Sequence, residues 1–123
     1  MNKKIKKIIQ KKNKSKIICL TAYSKNIAKI LDKYCDIVLV GDSMANVLYG
    51  SKNTHKITLQ NIIQHGVSVK KGIKKSLLVV DMPKDTYKNK KKAKENAQLI
   101  MKKTKCDAVK IESNKKNSNI IRE

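Results

Sequence analysis

The sequence predicts an α/β fold built on parallel strands, and three observations carry that prediction. The run Ile37-Val38-Leu39-Val40 is apolar without polar alternation, the pattern of a strand buried on both faces beneath helices. Similar runs alternate along the chain with helical stripes, each unit about the length of a βαβ crossover. The buried runs end near Asp42, Asp81 and Glu112, which are 39 and 31 residues apart. Sheets and barrels of this class place ligands and catalytic groups where parallel strands emerge.

Each element has its own signal. Residues 4–12 set Ile5, Ile8 and Ile9 at helical spacing among lysines, an amphipathic helix laid against the body, and Asn13-Lys14-Ser15 is a turn. Residues 17–23, Ile-Ile-Cys-Leu-Thr-Ala-Tyr, read as a first buried strand. Ser24 is a candidate N-cap for a helix whose stripe is Ile27, Ala28, Leu31 and Tyr34. The strand at 36–41 follows and stops on Gly41-Asp42-Ser43. From Met44 to Ile57 the chain reads as a long loop after the strand, the usual place for substrate contacts. Thr58 caps a helix running to Lys71 with Leu59, Ile62, Ile63 and Val67 on one face, and Gly72 stands past its end. Residues 76–80 form a third buried strand ending at Asp81-Met82-Pro83. A helix over about 90–103 carries the stripe Ala93, Ala97, Ile100 and Met101, and residues 107–112 form a fourth strand. The tail from Ser113 to Glu123 is polar, with Ile120 and Ile121 opening a further helix.

At 123 residues the chain has room for one domain with a modest core. Four strands are too few to close an eight-stranded barrel of about 250 residues. The pattern therefore fits either a small open sheet or the first half of something larger.

The net charge of +21 raises nucleic acid as a partner. Two features argue against specific binding of that kind. Arg122 is the only arginine, whereas base and phosphate readout leans on the forked guanidinium. The lysines are spread over the whole chain without aromatic residues interleaved for stacking, and the abundance of Lys, Asn and Ile resembles a coding bias. Cys19, Cys35 and Cys106 form no CxxC pair and read as small apolar residues in a reducing compartment. The basic segment Met1 to Lys16 lacks the apolar core of a secretory signal, and no run approaches the roughly 20 apolar residues of a membrane helix. The expectation is a soluble, cytoplasmic protein without membrane contact.

Parallel strands present their C-terminal ends to one rim, so Asp42, Asp81 and Glu112 are expected to converge there. Carboxylates gathered without cations repel and shift their pKa values upward. A hard, oxygen-seeking ion such as Mg2+ resolves the conflict. Lys110 shares a face with Glu112, while Val109 and Ile111 point toward the helices. A lysine directed inward needs an anion, and a substrate carboxylate would serve. Each acidic residue taken alone also suits a turn or a helix cap. His55 reads as a loop histidine and His65 as a helix-surface or packing histidine. No phosphate loop, zinc pair or nucleophile elbow is present.

The motifs Leu20-Thr21-Ala22-Tyr23, Val40-Gly41-Asp42-Ser43, Val79-Val80-Asp81-Met82-Pro83 and Val109-Lys110-Ile111-Glu112, with residues 58–72 and their His65, resemble the ketopantoate hydroxymethyltransferases in order and spacing. The resemblance covers nearly the whole chain. It implies a (β/α)8 TIM barrel of the phosphoenolpyruvate/pyruvate type, of which residues 1–123 supply about the first four βα units, with 1–16 as a basic helix and turn. It implies transfer of a one-carbon unit from 5,10-methylenetetrahydrofolate to C3 of 3-methyl-2-oxobutanoate, giving 2-dehydropantoate in pantothenate synthesis, by a homo-oligomer that is usually a decamer.

By position the resemblance assigns Asp42, Asp81 and Glu112 to a Mg2+ site, and Asp42, Ser43, Asp81 and Lys110 to oxo-acid contacts. The family's general base, a glutamate, lies in the second half of the barrel beyond Glu123, so no catalytic residue is assigned here and the chain alone is expected to be inactive. Lys84-Asp85 and Ser113-Asn114-Lys115 depart from the family pattern in two rim loops. The alternatives are a folate-independent 2-oxo-acid C–C lyase of the same barrel superfamily and a non-catalytic basic nucleic-acid-binding protein.

Overall fold

The computed structural model describes residues 2–114 and 118–121. Met1, Lys115 of the altered rim loop, and Arg122 and Glu123 at the end of the polar tail lie outside the described residues. Strands β1 (Cys19–Thr21), β2 (Ile37–Val40), β3 (Leu77–Asp81) and β4 (Ala108–Lys110) form one sheet, parallel throughout and in the order β1-β2-β3-β4. Helices α1 (Lys3–Gln10), α2 (Lys25–Leu31), α3 (Met44–Val47), α4 (Leu59–Lys70) and α5 (Lys90–Thr104) lie between and around them, and a single 3-10 turn spans Ser118–Ile120.

The strand order decides between the two architectures left open by the sequence. Every crossover steps one strand in the same direction, and right-handed crossovers of that kind put all their helices on one face. Accordingly α4 packs against α2 on one side and α5 on the other while resting on β2 and β3. This is the arrangement of about half a (β/α)8 barrel, in which helices ring one face and the other face turns inward.

The core lies between sheet and helices. Val38 and Val40 of β2 and Leu78 and Val80 of β3 are fully buried against Ala28, Ile62, Val69 and Ile100. Pairing of Val38 with Leu78 and Val40 with Val80 aligns these side chains into layers. Truncating Leu78 to alanine would cost roughly 2–5 kcal/mol through lost transfer energy and the cavity left behind. On the opposite face Ile37, Leu39 and Val79 are only half-buried. Burial of β2 on both faces, expected from its unbroken apolar run, is therefore complete on the helix side alone.

Five local features differ from the sequence reading. Strand β1 is an edge strand with all three residues exposed, and no element packs over its outer side among the described residues. Its apolar run resembles a buried strand, but its position at the sheet margin leaves it open. The segment after β2 begins with the one-turn helix α3, whose Met44 and Ala45 plug the core. Ser24 occupies the N-cap of α2 without a side-chain bond to it; Ser68 of α4 accepts from the Lys25 N–H instead, at 3.1 Å. Gly72 does not end α4 in a left-handed conformation, because Lys71 and Gly72 keep negative φ. Its lack of a Cβ serves packing: a Cβ there would stand 2.4 Å from the Lys25 carbonyl oxygen. Among the described residues, the helix expected to open at Ile120 and Ile121 is a 3-10 turn over Ser118–Ile120.

Thr58 does cap α4, and does so reciprocally. Its hydroxyl accepts from the Asn61 N–H at 3.1 Å while the Asn61 side chain accepts from the Thr58 N–H at 3.0 Å, a capping box. At the far end of the sheet α1 is fastened beneath the strand starts. Lys4 donates to the Ser76 carbonyl at 2.8 Å, Asn2 donates to Asp107 at 2.7 Å, and Lys11 pairs with Asp36. Asp32, at the end of α2, accepts from the backbone N–H groups of Lys74, Lys75 and Ser76 just before β3. These contacts fix the N-terminal ends of the strands and leave the C-terminal ends to form the site.

Candidate active site

The site grows from the last residues of β2, β3 and β4. In β3 the pleat turns Val80 toward the helices and Asp81 toward the open face; in β4 Val109 and Lys110 alternate in the same way. Asp81 is register partner to Lys110, which brings their side chains together at the rim. Lys110 Nζ lies 3.0 Å from Asp81 Oδ2. The Asp42 backbone N–H, one step past β2, points to the same Oδ2 at 3.4 Å, a weak bond at best.

The two partners of this ion pair differ in exposure. The Asp81 side chain is 3% exposed and that of Lys110 is 42% exposed. Burial drives the Asp81 carboxyl above its ordinary pKa, reinforced by the charge of Asp42 and outweighing the opposing effects of Lys110 and the Asp42 amide. Burial pulls Lys110 down, but the hydrogen bond and charge of Asp81, with the charges of Glu112 and Asp42, raise it on balance. Asp81 is thus a carboxylate held partly against its own solvation, and its Oδ1 is fully buried with no donor among the described residues.

Ser43 stands one residue beyond Asp42, with its Oγ 2.7 Å from the Tyr23 hydroxyl at the end of β1. Between these groups Gly41 keeps space open. A Cβ on Gly41 would sit 3.1 Å from Ser43 Oγ and 3.8 Å from Asp81 Oδ2. Glu112 is exposed, two residues past β4. Its charge acts on Lys110 and on Tyr87. Burial raises the Tyr87 phenol, and the charges of Glu112, Asp81 and Asp42 push it further. Lys110 and Tyr87 therefore sense all three carboxylates, which share one electrostatic field at one rim. Among the described residues no three His, Cys, Asp or Glu side chains stand close enough to form a ready metal-binding group.

The sequence reading assigned neither Tyr23, placed only within the first strand and motif, nor Tyr87 a role in the site. The available signal was scarcity: the chain has four tyrosines and no phenylalanine or tryptophan, yet Tyr23 and Tyr87 both follow strand ends. Tyr49 of the loop joins Tyr23 through His65, whose Nε2 is 2.9 Å from the Tyr49 hydroxyl and whose Nδ1 is 2.7 Å from the Tyr23 carbonyl oxygen. His65 is thus a half-buried packing histidine with both ring nitrogens engaged. His55 stays in the exposed loop, 3.4 Å from Lys84 Nζ.

Comparison with known proteins settles the family. Residues 2–123 match the family model of ketopantoate hydroxymethyltransferase. The chain belongs to the ketopantoate hydroxymethyltransferase family. It is 60% identical over 122 residues to the 3-methyl-2-oxobutanoate hydroxymethyltransferase of Pelagibacter ubique (strain HTCC1062), a match covering 99% of this chain and 48% of that protein. It is 43% identical over 115 residues to the enzyme of that name from Agrobacterium fabrum, covering 93% of this chain and 41% of that protein. With the enzyme of that name from Anaplasma marginale (strain St. Maries) the figures are 48% over 102 residues, 83% and 37%. The chain spans about half the length of the curated relatives it matches, in keeping with four strands of an eight-stranded barrel.

Proposed function

We propose that this chain supplies the metal and oxo-acid half of a 3-methyl-2-oxobutanoate hydroxymethyltransferase. The whole barrel would transfer the one-carbon unit of 5,10-methylenetetrahydrofolate, with water, to C3 of 3-methyl-2-oxobutanoate, releasing tetrahydrofolate and 2-dehydropantoate. One observation carries this reading: Asp81 is a buried carboxylate with one oxygen on Lys110 and the other without a donor, at the rim that also holds Asp42, Ser43 and Glu112.

That arrangement suits Mg2+. The donors are all carboxylate oxygens, which a hard cation prefers. The orphaned Oδ1 has unmet acceptor capacity, and Gly41 preserves space on the Oδ2 side of the same carboxylate. Asp42 and Asp81 would hold the ion, with Glu112 reaching it directly or through water. The ion supplies Lewis acidity at the 2-oxo group, which makes the C3 proton easier to remove. Lys110 would neutralise the substrate carboxylate, exchanging part of its bond to Asp81 for one to the ligand. Ser43 would donate its hydroxyl hydrogen to the same oxo-acid end. Burial of Asp81 limits water around its carboxylate and strengthens the contacts made to it.

The proton acceptor for C3 would come from the remainder of the barrel. No helix among the described residues is long and apolar enough to cross a membrane. In this reading the whole barrel works in the cytoplasm as a homo-oligomer. The test is solvent exchange of the C3 proton of 3-methyl-2-oxobutanoate followed by NMR. This chain combined with the C-terminal half of the Pelagibacter ubique relative should catalyse Mg2+-dependent exchange, and this chain alone should not. A folded combination that leaves the C3 proton in place would refute the proposal.

A further inference from the structure

A chain of hydrogen bonds runs from the loop after α3, through His65 of α4 and Tyr23 just past β1, to the site. It starts at Tyr49, whose hydroxyl is 2.9 Å from His65 Nε2. It continues from His65 Nδ1 to the Tyr23 carbonyl oxygen at 2.7 Å, and ends from the Tyr23 hydroxyl to Ser43 Oγ at 2.7 Å. The directions of two links follow from chemistry. A carbonyl oxygen only accepts, so Nδ1 carries the imidazole hydrogen. In the neutral ring Nε2 then accepts, and Tyr49 donates to it. His65 also meets both tyrosine rings edge-on, with centroids 6.4 Å from Tyr23 and 6.2 Å from Tyr49, so ring packing supports the same orientation.

The last link can run either way, and the ligand decides it. If Ser43 donated to Tyr23, it would present only lone pairs to the rim, which an anionic ligand rejects. If Tyr23 donates to Ser43, the serine hydrogen is free to point at an anion. We propose that Tyr23, held in place by His65, is a positioning residue that occupies the acceptor side of Ser43 and so aims the serine hydroxyl at the carboxylate end of a 2-oxo acid. This rests on the oxo-acid reading of the site and adds residues that the reading does not need. It gives His65 a role that is neither acid–base nor metal-binding: through its Nδ1 hydrogen it anchors the end of β1, and through Nε2 it ties down the loop that carries Tyr49.

The test is a double-mutant cycle on ligand binding, with Mg2+ and 3-methyl-2-oxobutanoate as the probes titrated separately by calorimetry. Tyr23→Phe removes only the hydroxyl. It should weaken oxo-acid binding about fivefold, the size of one net hydrogen bond, and leave Mg2+ binding unchanged. Ser43→Ala should weaken it at least as much, and adding Tyr23→Phe to Ser43→Ala should cost nothing further, because residues acting through one contact are not additive. Nitrogen-15 shifts of His65 should show hydrogen on Nδ1 and none on Nε2. Wild-type-like binding by Tyr23→Phe, full additivity of the two losses, or hydrogen on Nε2 would overturn this proposal while leaving the oxo-acid site intact. Failure of the wild-type chain to bind the oxo acid with Mg2+ present would overturn the oxo-acid reading and this proposal together.

Discussion

Replacing Asp81 by asparagine separates the functional from the structural worth of this residue. The carboxylate is buried, only Oδ2 has partners, and burial lifts its pKa. A buried acceptor without a donor costs about 1–3 kcal/mol, and more when charged. The substituted amide would remove that charge, leaving an unpartnered neutral NH2 where Oδ1 stood, while its carbonyl oxygen keeps the place of Oδ2 toward the Asp42 N–H and Lys110. Against this stands the loss of the ionic part of the Lys110 contact, about 1 kcal/mol at most because Lys110 is largely open to water. Without metal, Asp81→Asn should therefore be as stable as the parent or more stable by about 1–2 kcal/mol. The sign with pH follows from the raised pKa. The folded state holds the proton more tightly than the unfolded state, so the contribution of Asp81 to stability is present below the ordinary Asp range and is lost as pH rises through its folded-state pKa. The advantage of the variant should therefore grow with pH over that interval. With Mg2+ the order reverses, because at a hundred times its Kd a ligand adds about 2.7 kcal/mol to the protein that binds it and nothing to one that does not. Urea unfolding followed by circular dichroism, with and without Mg2+ at several pH values, reads all three outcomes. A loss of more than about 3 kcal/mol in metal-free buffer, on the order of a broken structural network, would show that Asp81 holds the fold together and would refute this reasoning.

Two further outcomes follow from the same structure. Asp32→Ala strips the acceptor from three backbone N–H groups ahead of β3 and should cost about 2–4 kcal/mol in the same unfolding assay. Burial raises the Asp32 carboxyl, but the amide bonds from Ser76, Lys74 and Lys75 lower it on balance, so parent stability should fall as pH drops below the ordinary Asp value and the gap between parent and variant should close there. Lys110→Gln removes the cation facing Asp81. It should weaken 3-methyl-2-oxobutanoate binding at least tenfold, as expected for loss of a charge-assisted contact of about 1.5–3 kcal/mol, while Mg2+ binding holds or tightens; equal loss of both ligands would contradict the separate roles given to Lys110 and the carboxylates.

Much of the fold is legible where local chemistry and tertiary position agree. Helix α4 announces itself through Thr58 and its apolar face, and β2 and β3 through aliphatic runs that end in acid. The exposure of β1 is not legible, because Ile17 to Tyr23 reads like any buried strand and only the strand order makes it an edge. Helix α3 is a single turn, too short to show a stripe. Gly72 looks like a helix stop, while the close approach that requires it comes from α2, more than forty residues earlier in the chain. In the site, Asp42, Asp81 and Glu112 look equivalent as acids near strand ends. The sheet register distinguishes them by burying Asp81 against Lys110 and leaving Glu112 exposed. The place of Tyr23 and Tyr87 in the site was hidden because their relation to the carboxylates depends on how the chain turns after β1 and after Pro83.

The most direct measurement is anomalous diffraction from crystals of this chain grown with Mn2+, a scattering substitute for Mg2+, and 3-methyl-2-oxobutanoate. The account predicts one manganese peak at the C-terminal rim, within direct oxygen-ligation distance of an Asp81 carboxylate oxygen, with the oxo acid between the ion, Ser43 and Lys110. Manganese bound elsewhere, or a rim with the Asp81–Lys110 pair unchanged and no metal beside it at saturating Mn2+, would contradict it.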